Sequence, residues 1–445
     1  MIDVIKRKLS FLDEHTLEVL RNSSTATVVK VVGLVFGFLV SVFLGRILGA
    51  EGLGIISIAN RVATVTLILC LLGMKQVIVK EVSIGYDQNK WNRINNVLFS
   101  SYVMNGGLTA VLTITLILFS PFIAKEIFNE PRLEIPLVIA VIVLTPRVLS
   151  RILSSALIGY NKIWQSNLVN QTLSYVIIGI ILFFLWIFRV RITVIVVAIV
   201  YAIGSVFVTL SVGFYWRQLR KGESEWRGRE FIGLRLLKTS LPLLLVGASA
   251  IIASNADSIM IGWLGNSKQV GLYVVAARVA LLTSFFLQVT NSAISPKIAA
   301  LFDKGKIREM ESMVQRITGF LFLIAILPLI TFLIFGNYIL SIWGQEFVRS
   351  YWMLIILSIG QFFNLSTGAA GLTLMLCGEE KAQGAISITF VILNLILNYF
   401  LISNFGAIGA AVATAITVAG ENITKVIFVK NKIGILTVPF SSYEV

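Results

Sequence analysis

Residues 24–48 read STATVVKVVGLVFGFLVSVFLGRIL, 25 residues with two charges, Lys30 and Arg46. A helix needs ~20 apolar residues to cross ~30 Å of hydrocarbon, and only helices and closed barrels satisfy their own backbone in lipid. This run is long enough. A short loop follows, then a second run at 55–78, and the pattern continues through 96–120, 135–157, 166–188, 192–216, 239–262, 271–297, 318–335, 350–377, 383–402 and 407–428. The composition agrees. Of 445 residues 57% are hydrophobic and 13% charged, about half the ~25% charged share of soluble proteins, and the mean hydropathy is +0.90. That excludes a soluble enzyme, a secreted disulfide scaffold and a disordered regulator. The expected fold is an all-α polytopic membrane protein of about 12 transmembrane helices in two six-helix lobes. The lobes are 24–216 and 239–428, with an inter-lobe loop at 217–238, an N-terminal segment at 1–23 and a tail at 429–445.

Lys and Arg set the orientation, because cytoplasmic loops carry the excess. With the N-terminus inside, the inner segments hold 22 of them and the outer loops 6. Both termini and 217–238 are therefore expected in the cytoplasm, with the protein in the cell's inner membrane. The net charge of +15 then faces anionic lipid head groups rather than nucleic acid. Cys70 and Cys377 fall in apolar runs and read as small buried hydrophobes. His15 is the only histidine, so no ligand cluster predicts a metal, and no cofactor is expected. Residues 1–23 carry charges throughout and lack the apolar core of a signal peptide.

Two stretches repeat. Leu48-Gly49, a short loop and then Gly54 to Ala63, with Ala59, Arg61 and Val62, align with Leu264-Gly265, a loop one residue longer and then Gly271 to Ala280, with Ala276, Arg278 and Val279, the offset being 217 after the loop. Ala156 to Lys162, with Gly159, aligns with Met375 to Lys381, with Gly378, at 219. An even number of spans separates the copies, so a parallel repeat about an axis normal to the bilayer is expected.

Nine bases lie inside the spans: Lys30, Arg46, Arg61, Lys75, Arg147, Arg151, Arg278, Lys297 and Lys425. Only Asp257 and Glu421 join them, and the first six spans hold no acid. A charge at the bilayer centre costs ~2.5–3.5 kcal/mol, so it must face a partner or water. The imbalance predicts a wet, cationic interior. Arg46, Lys75, Lys297 and Lys425 sit near span ends, where snorkelling accounts for them. Arg147 and Arg151 lie one helical turn apart near mid-membrane, after Pro146, which is expected to kink the helix. Arg61 and Arg278 are repeat mates. The candidate binding cations are Arg147, Arg151, Arg61, Arg278, Lys30 and Arg46. Asp257 and Glu421 are either coupling acids or salt-bridge partners. Asn167, Asn170, Gln171, Gln288, Asn291, Gln361, Asn364, Asn394 and Asn398 could line the same cavity or join helices.

Several of these segments resemble a known family. Gly33 to Phe38 with Leu44 to Gly54, Asn255 to Gly262 with Gly271 to Ala277, and Phe405 to Thr414 resemble the polysaccharide-transporter branch of the multidrug/oligosaccharidyl-lipid/polysaccharide (MOP) exporters. The Wzx-type flippases typify that branch. The resemblance spans essentially the whole chain. It implies two six-helix lobes opening alternately to each face, and a flippase for polyprenyl-diphosphate-linked glycans such as O-antigen, capsule or exopolysaccharide units. The implied partners are that substrate, membrane lipids, and polysaccharide polymerase and chain-length machinery. Two alternatives stay open. One is a drug exporter of the related multidrug branch, which needs lumen carboxylates. The other is a membrane glycan polymerase or ligase, an enzyme whose catalytic residues usually occupy a long outer loop. The longest outer loops here, 121–134 and 336–349, are about fourteen residues.

Overall fold

The computed structural model describes residues 14–220 and 230–438. The expected cytoplasmic stretches at 1–13, 221–229 and 439–445 lie outside the described residues. Among the described residues there are fifteen α-helices and no strand. The first eight are α1 (Glu14–Leu71), α2 (Met74–Asp87), α3 (Trp91–Phe122), α4 (Glu134–Ile142), α5 (Leu144–Gly159), α6 (Ile163–Asn167), α7 (Leu173–Ile187) and α8 (Val194–Leu219). The remainder are α9 (Gly233–Leu264), α10 (Ser267–Leu281), α11 (Ser284–Asp303), α12 (Ile307–Ser341), α13 (Tyr351–Ser366), α14 (Ala370–Leu376) and α15 (Glu380–Ile433).

Seven helices are long and apolar enough to cross a membrane, rising to nine if each of two bent pairs is one span. Large apolar side chains stand exposed along them, among them Leu118, Phe188, Leu327 and Phe405 at 65–73%. Water would not tolerate that surface and lipid does. The chain is a multi-pass membrane protein. Two of the long helices are interrupted at glycines with positive φ, Gly49 in α1 (68°) and Gly406 in α15 (58°), a backbone conformation that a Cβ disfavours. Each break falls where one apolar run ends and the next begins. Pro146 has the consequence expected of it. Its missing N–H leaves the carbonyl of Ile142 without a helical donor, and the helix is interrupted at Val143, between α4 and α5.

The chain forms two compact units, each built from discontinuous segments. The first holds 14–44, 62–122, 134–220 and 230–247, and α5 is its centre, packed against α2, α3 and α8. The second holds 45–61, 123–133 and 248–438, and α13 is its centre, packed against α10, α12 and α15.

Inside the second unit the repeat can be seen as a contact. A Cβ on Gly54 would overlap the carbonyl oxygen of Ser267, and one on Gly271 would overlap that of Ala50. The offset of 217 pairs Gly54 with Gly271 and also Ala50 with Ser267. Each copy therefore places a glycine, one turn into its helix, on the first carbonyl of the other copy's helix. Only glycine permits that approach.

Candidate functional site

In the first unit α5 carries Arg147 and Arg151 on one face. Arg147 Nε donates to Ser205 Oγ of α8 at 3.3 Å, and Arg151 Nη1 donates to Asn170 Oδ1 at 2.6 Å. Asn170 is held in turn, its amide donating to the hydroxyls of Ser154 (2.5 Å) and Ser166 (3.2 Å). Arg147 and Arg151 repel one another, and Arg151 and Lys30 both act on Lys75 through charge. The structure thus gathers Lys30, Lys75, Arg147 and Arg151. Lys75, read from sequence as a snorkelling residue, belongs to the group. The hydrogen bonds named here leave it strongly positive, because every acceptor is neutral. Guanidinium groups suit such a place: they stay charged and grip phosphate oxygens with paired N–H donors.

The second unit has the opposite arrangement. Asp257 is buried, and its partners come from three other helical stretches. Its Oδ1 accepts from Asn398 Nδ2 (2.7 Å), and its Oδ2 accepts from Tyr273 Oη (2.5 Å) and Thr414 Oγ1 (2.7 Å). Asn398 also donates to Asn394 Oδ1 at 2.9 Å, and its own Oδ1 has no hydrogen-bond partner. Arg61 lies nearby: its Nη1 donates to Ser254 O (2.8 Å) and Asn255 Oδ1 (3.1 Å), and its charge reaches Asp257. The cluster of carboxylate, amide and hydroxyl oxygens is chemically hard, the kind of donor set that takes a proton or a small cation.

Other candidates are placed differently. Arg46 Nε donates to the carbonyl of Ile342 at 2.8 Å. Glu421 pairs with Lys425 one turn along α15 (2.8 Å) and accepts from Ser387 Oγ (2.7 Å). Arg278 sits half-buried near the end of α10.

One polar network was not singled out by sequence. Arg132 bridges Glu51 and Glu130, and Glu130 accepts from Ser267 Oγ at 3.0 Å. Glu346 Oε1 accepts from the backbone N–H of Ala50 (2.7 Å), which caps the helix that restarts after Gly49. No local pattern marked it, because its members come from separate loops, Ala50 and Glu346 standing 296 residues apart.

Among the described residues, no group of three or more His, Cys, Asp or Glu could hold a metal ion.

Comparisons with known proteins agree with this architecture. The family described as "Polysaccharide biosynthesis protein" matches residues 19–302, and the MatE family matches 242–400. A Haloferax volcanii protein named "Probable low-salt glycan biosynthesis flippase Agl15" is 32% identical over 164 residues, 37% of this chain and 35% of that one. A Shigella flexneri protein named for O-antigen transport is 23% identical over 390 residues, covering 84% and 89%. Three of the curated relatives are matched over only 35%, 45% and 34% of their own length. Among solved structures, the lipid II flippase MurJ in an inward closed conformation superposes with a TM-score of 0.74 at 16% identity, covering 92% of this chain and 87% of that one. With the family matching well over half of the chain, and with a helical fold shared with solved transporters, this protein belongs to the polysaccharide biosynthesis protein family.

Proposed function

We propose that the protein is a flippase that carries a polyprenyl-diphosphate-linked oligosaccharide across the cytoplasmic membrane by alternating access along a cation-lined path. The observation that carries this reading is the cluster of Lys30, Lys75, Arg147 and Arg151 in a unit whose apolar runs contain no acid. A diphosphate cannot enter hydrocarbon bare, since isolated charges there are strongly disfavoured. Several moderate contacts along a path hold it and still release it. The names of the glycan-flippase and O-antigen relatives point to the same substrate class. A multidrug exporter of cations would need lumen carboxylates where this cluster has bases.

In this reading Arg61 and Arg278 also bind anionic groups of the substrate and Asp257 is the coupling acid, exchanging a proton or cation as the protein cycles. Glu421, paired along its own helix, serves structure. Polysaccharide polymerase and chain-length proteins are the expected partners downstream. The topology is twelve crossings with both termini cytoplasmic. Two observations support it: the 22-to-6 bias of basic residues, and the convergence of five loops that this bias assigns to the outside. Residues 50, 51, 130, 132, 267, 269, 346 and 406 from those loops meet in the second unit.

The test is complementation of a flippase-null strain, with membrane abundance measured in parallel. Arg147→Ala should abolish glycan export at normal abundance, and Arg147→Lys should retain part of it. Export near wild type with alanine at Arg147, Arg151, Arg61 and Arg278 together would overturn the mechanism. Thiol labelling of intact cells tests the topology. A cysteine at Asn129 should react from outside and one at Ser224 should not; the two native cysteines are buried.

A further inference from the structure

We infer that the first unit carries a binding site for the phosphate headgroup of an anionic glycerophospholipid, at the end of α3 and α8 opposite the outer loops. Both helices pack on α5, and a groove of about 480 Å³ is left between them. Leu153 of α5 contributes to its lining, and Leu98, Phe99 and Tyr102 form one wall. At the polar end stand Asn95, Arg217 and Arg220. The volume falls within the ~300–1,000 Å³ typical of small-molecule sites. It holds a headgroup and the start of one chain, not a whole lipid.

Three observations turn this groove into a site. First, its polar end is built: Arg220 Nη1 donates to Asn95 Oδ1 at 2.7 Å, and its guanidinium lies 5.8 Å from the centroid of the Trp216 ring. Second, Asn95 is 4% exposed, yet its Nδ2 finds no acceptor. A buried amide donor left unmade is costly; the nitrogen is shut off from solvent, so a phosphate or ester oxygen in the groove satisfies it once the Asn95 amide turns toward it. Capping of the α8 C-terminus by Arg217 and Arg220 is favourable but leaves that donor unexplained. Third, the surface around the groove is apolar. Val103 (48%), Leu210 (68%) and Phe214 (65%) stand exposed on the same stretches of α3 and α8, and at Gly213 a Cβ would meet nothing within 4 Å. Two guanidinium groups and an amide N–H above an apolar slot match one phosphate ester on a hydrocarbon chain. The resident of the membrane with both is an anionic glycerophospholipid.

The assignment to the cytoplasmic leaflet rests on the topology proposed above; the site itself does not. Native mass spectrometry of the purified full-length protein tests it without glycan, so failure here would leave the export reading untouched. Phosphatidylglycerol should be retained over phosphatidylcholine of identical chains, and inorganic phosphate should not compete. Each of Arg217→Gln and Arg220→Gln should weaken retention about five-fold. Gly213→Trp fills the groove from an open position and should remove the bound lipid while the melting temperature in detergent holds. Equal retention of the two lipids, competition by inorganic phosphate, or unchanged binding in Gly213→Trp would each overturn the proposal. Displacement by a long-chain prenyl phosphate at far lower concentration would also overturn it, reassigning the groove to the transported lipid.

Discussion

The two central helices, α5 and α13 with its continuation α14, hold the same place in their units and carry different chemistry. The offset that sets Gly159 on Gly378 places Ser366 opposite Arg147 and Ala370 opposite Arg151. In the other direction, the offset of 216 that aligns Leu48-Gly49 with Leu264-Gly265 sets the buried, uncharged Ser41 opposite Asp257. Gly54 and Gly271, and Arg61 and Arg278, are alike in both copies. Where backbones touch, the two copies remain alike. Apart from the Arg61 and Arg278 pair, where charge must be placed in an apolar medium they have parted, one toward bases and the other toward a single buried acid. The cost of burying a charge explains why the divergence is so clean. Each ionised group needs its own surrounding donors or acceptors, and a copy that has built one set has little room for the other.

The comparison can be broken most directly by reversing a sign. Arg151→Glu should reduce export to background, a loss of at least ~100-fold if one buried cation's contact with phosphate is worth ~3 kcal/mol. Normal membrane abundance beside lost export would fix the defect on substrate. Next in size is Asp257→Asn, which keeps the shape and most of the hydrogen bonds. It should lower export about ten-fold and flatten its dependence on pH or on the cation gradient, measured in everted vesicles. An unchanged dependence would separate Asp257 from coupling. Gly54→Ala and Gly271→Ala then test what the copies share. Each should destabilise by ~1–3 kcal/mol through overpacking, and by the same amount, because the contact is reciprocal. Unequal melting shifts in detergent would deny that symmetry. The smallest effect concerns Glu130. Burial would raise its carboxyl, but donors from Arg132 and Ser267 outweigh this and hold it below the usual range. Its stabilisation is therefore complete above the ordinary value of ~4.3 and is lost as pH falls through the lowered one. Melting temperatures should decline on acidification below about pH 4, less steeply in Glu130→Gln.

The helical, membrane-crossing character was legible because lipid imposes one rule on every residue of a crossing, that a long apolar run is a helix; among the described residues, seven to nine helices of crossing length stand where the sequence holds twelve apolar runs. The breaks were less so, since Gly49 and Gly406 resemble the glycines elsewhere in the spans until their φ is known. Pro146 was an exception, its effect following from a missing N–H. Arg147 and Arg151 could be found by depth and spacing. Lys75 could not, because its distance from a span end gives no sign of what faces it. The surroundings of Asp257 were hidden for a related reason. Tyr273, Asn398 and Thr414 are up to 157 residues away, and no local pattern links them. Asn394 and Asn398 stood out as polar residues within a span, but nothing in the sequence marked the carboxylate they serve.

The paired contact of Gly54 on Ser267 and Gly271 on Ala50 has the geometry of a subunit interface. When residue i of one copy touches residue j of another, and j touches i in return, the surface is isologous, the kind that closes two identical chains into a dimer. Here both copies lie in one polypeptide. A single half-length chain bearing one such helix start would already possess a surface complementary to itself, and a second copy in the same orientation would satisfy it. Joining two such halves through one connecting segment adds no new interface and removes only the cost of finding a partner. It also frees each half to change its charges alone, which an obligate homodimer cannot do, since every substitution there is made twice.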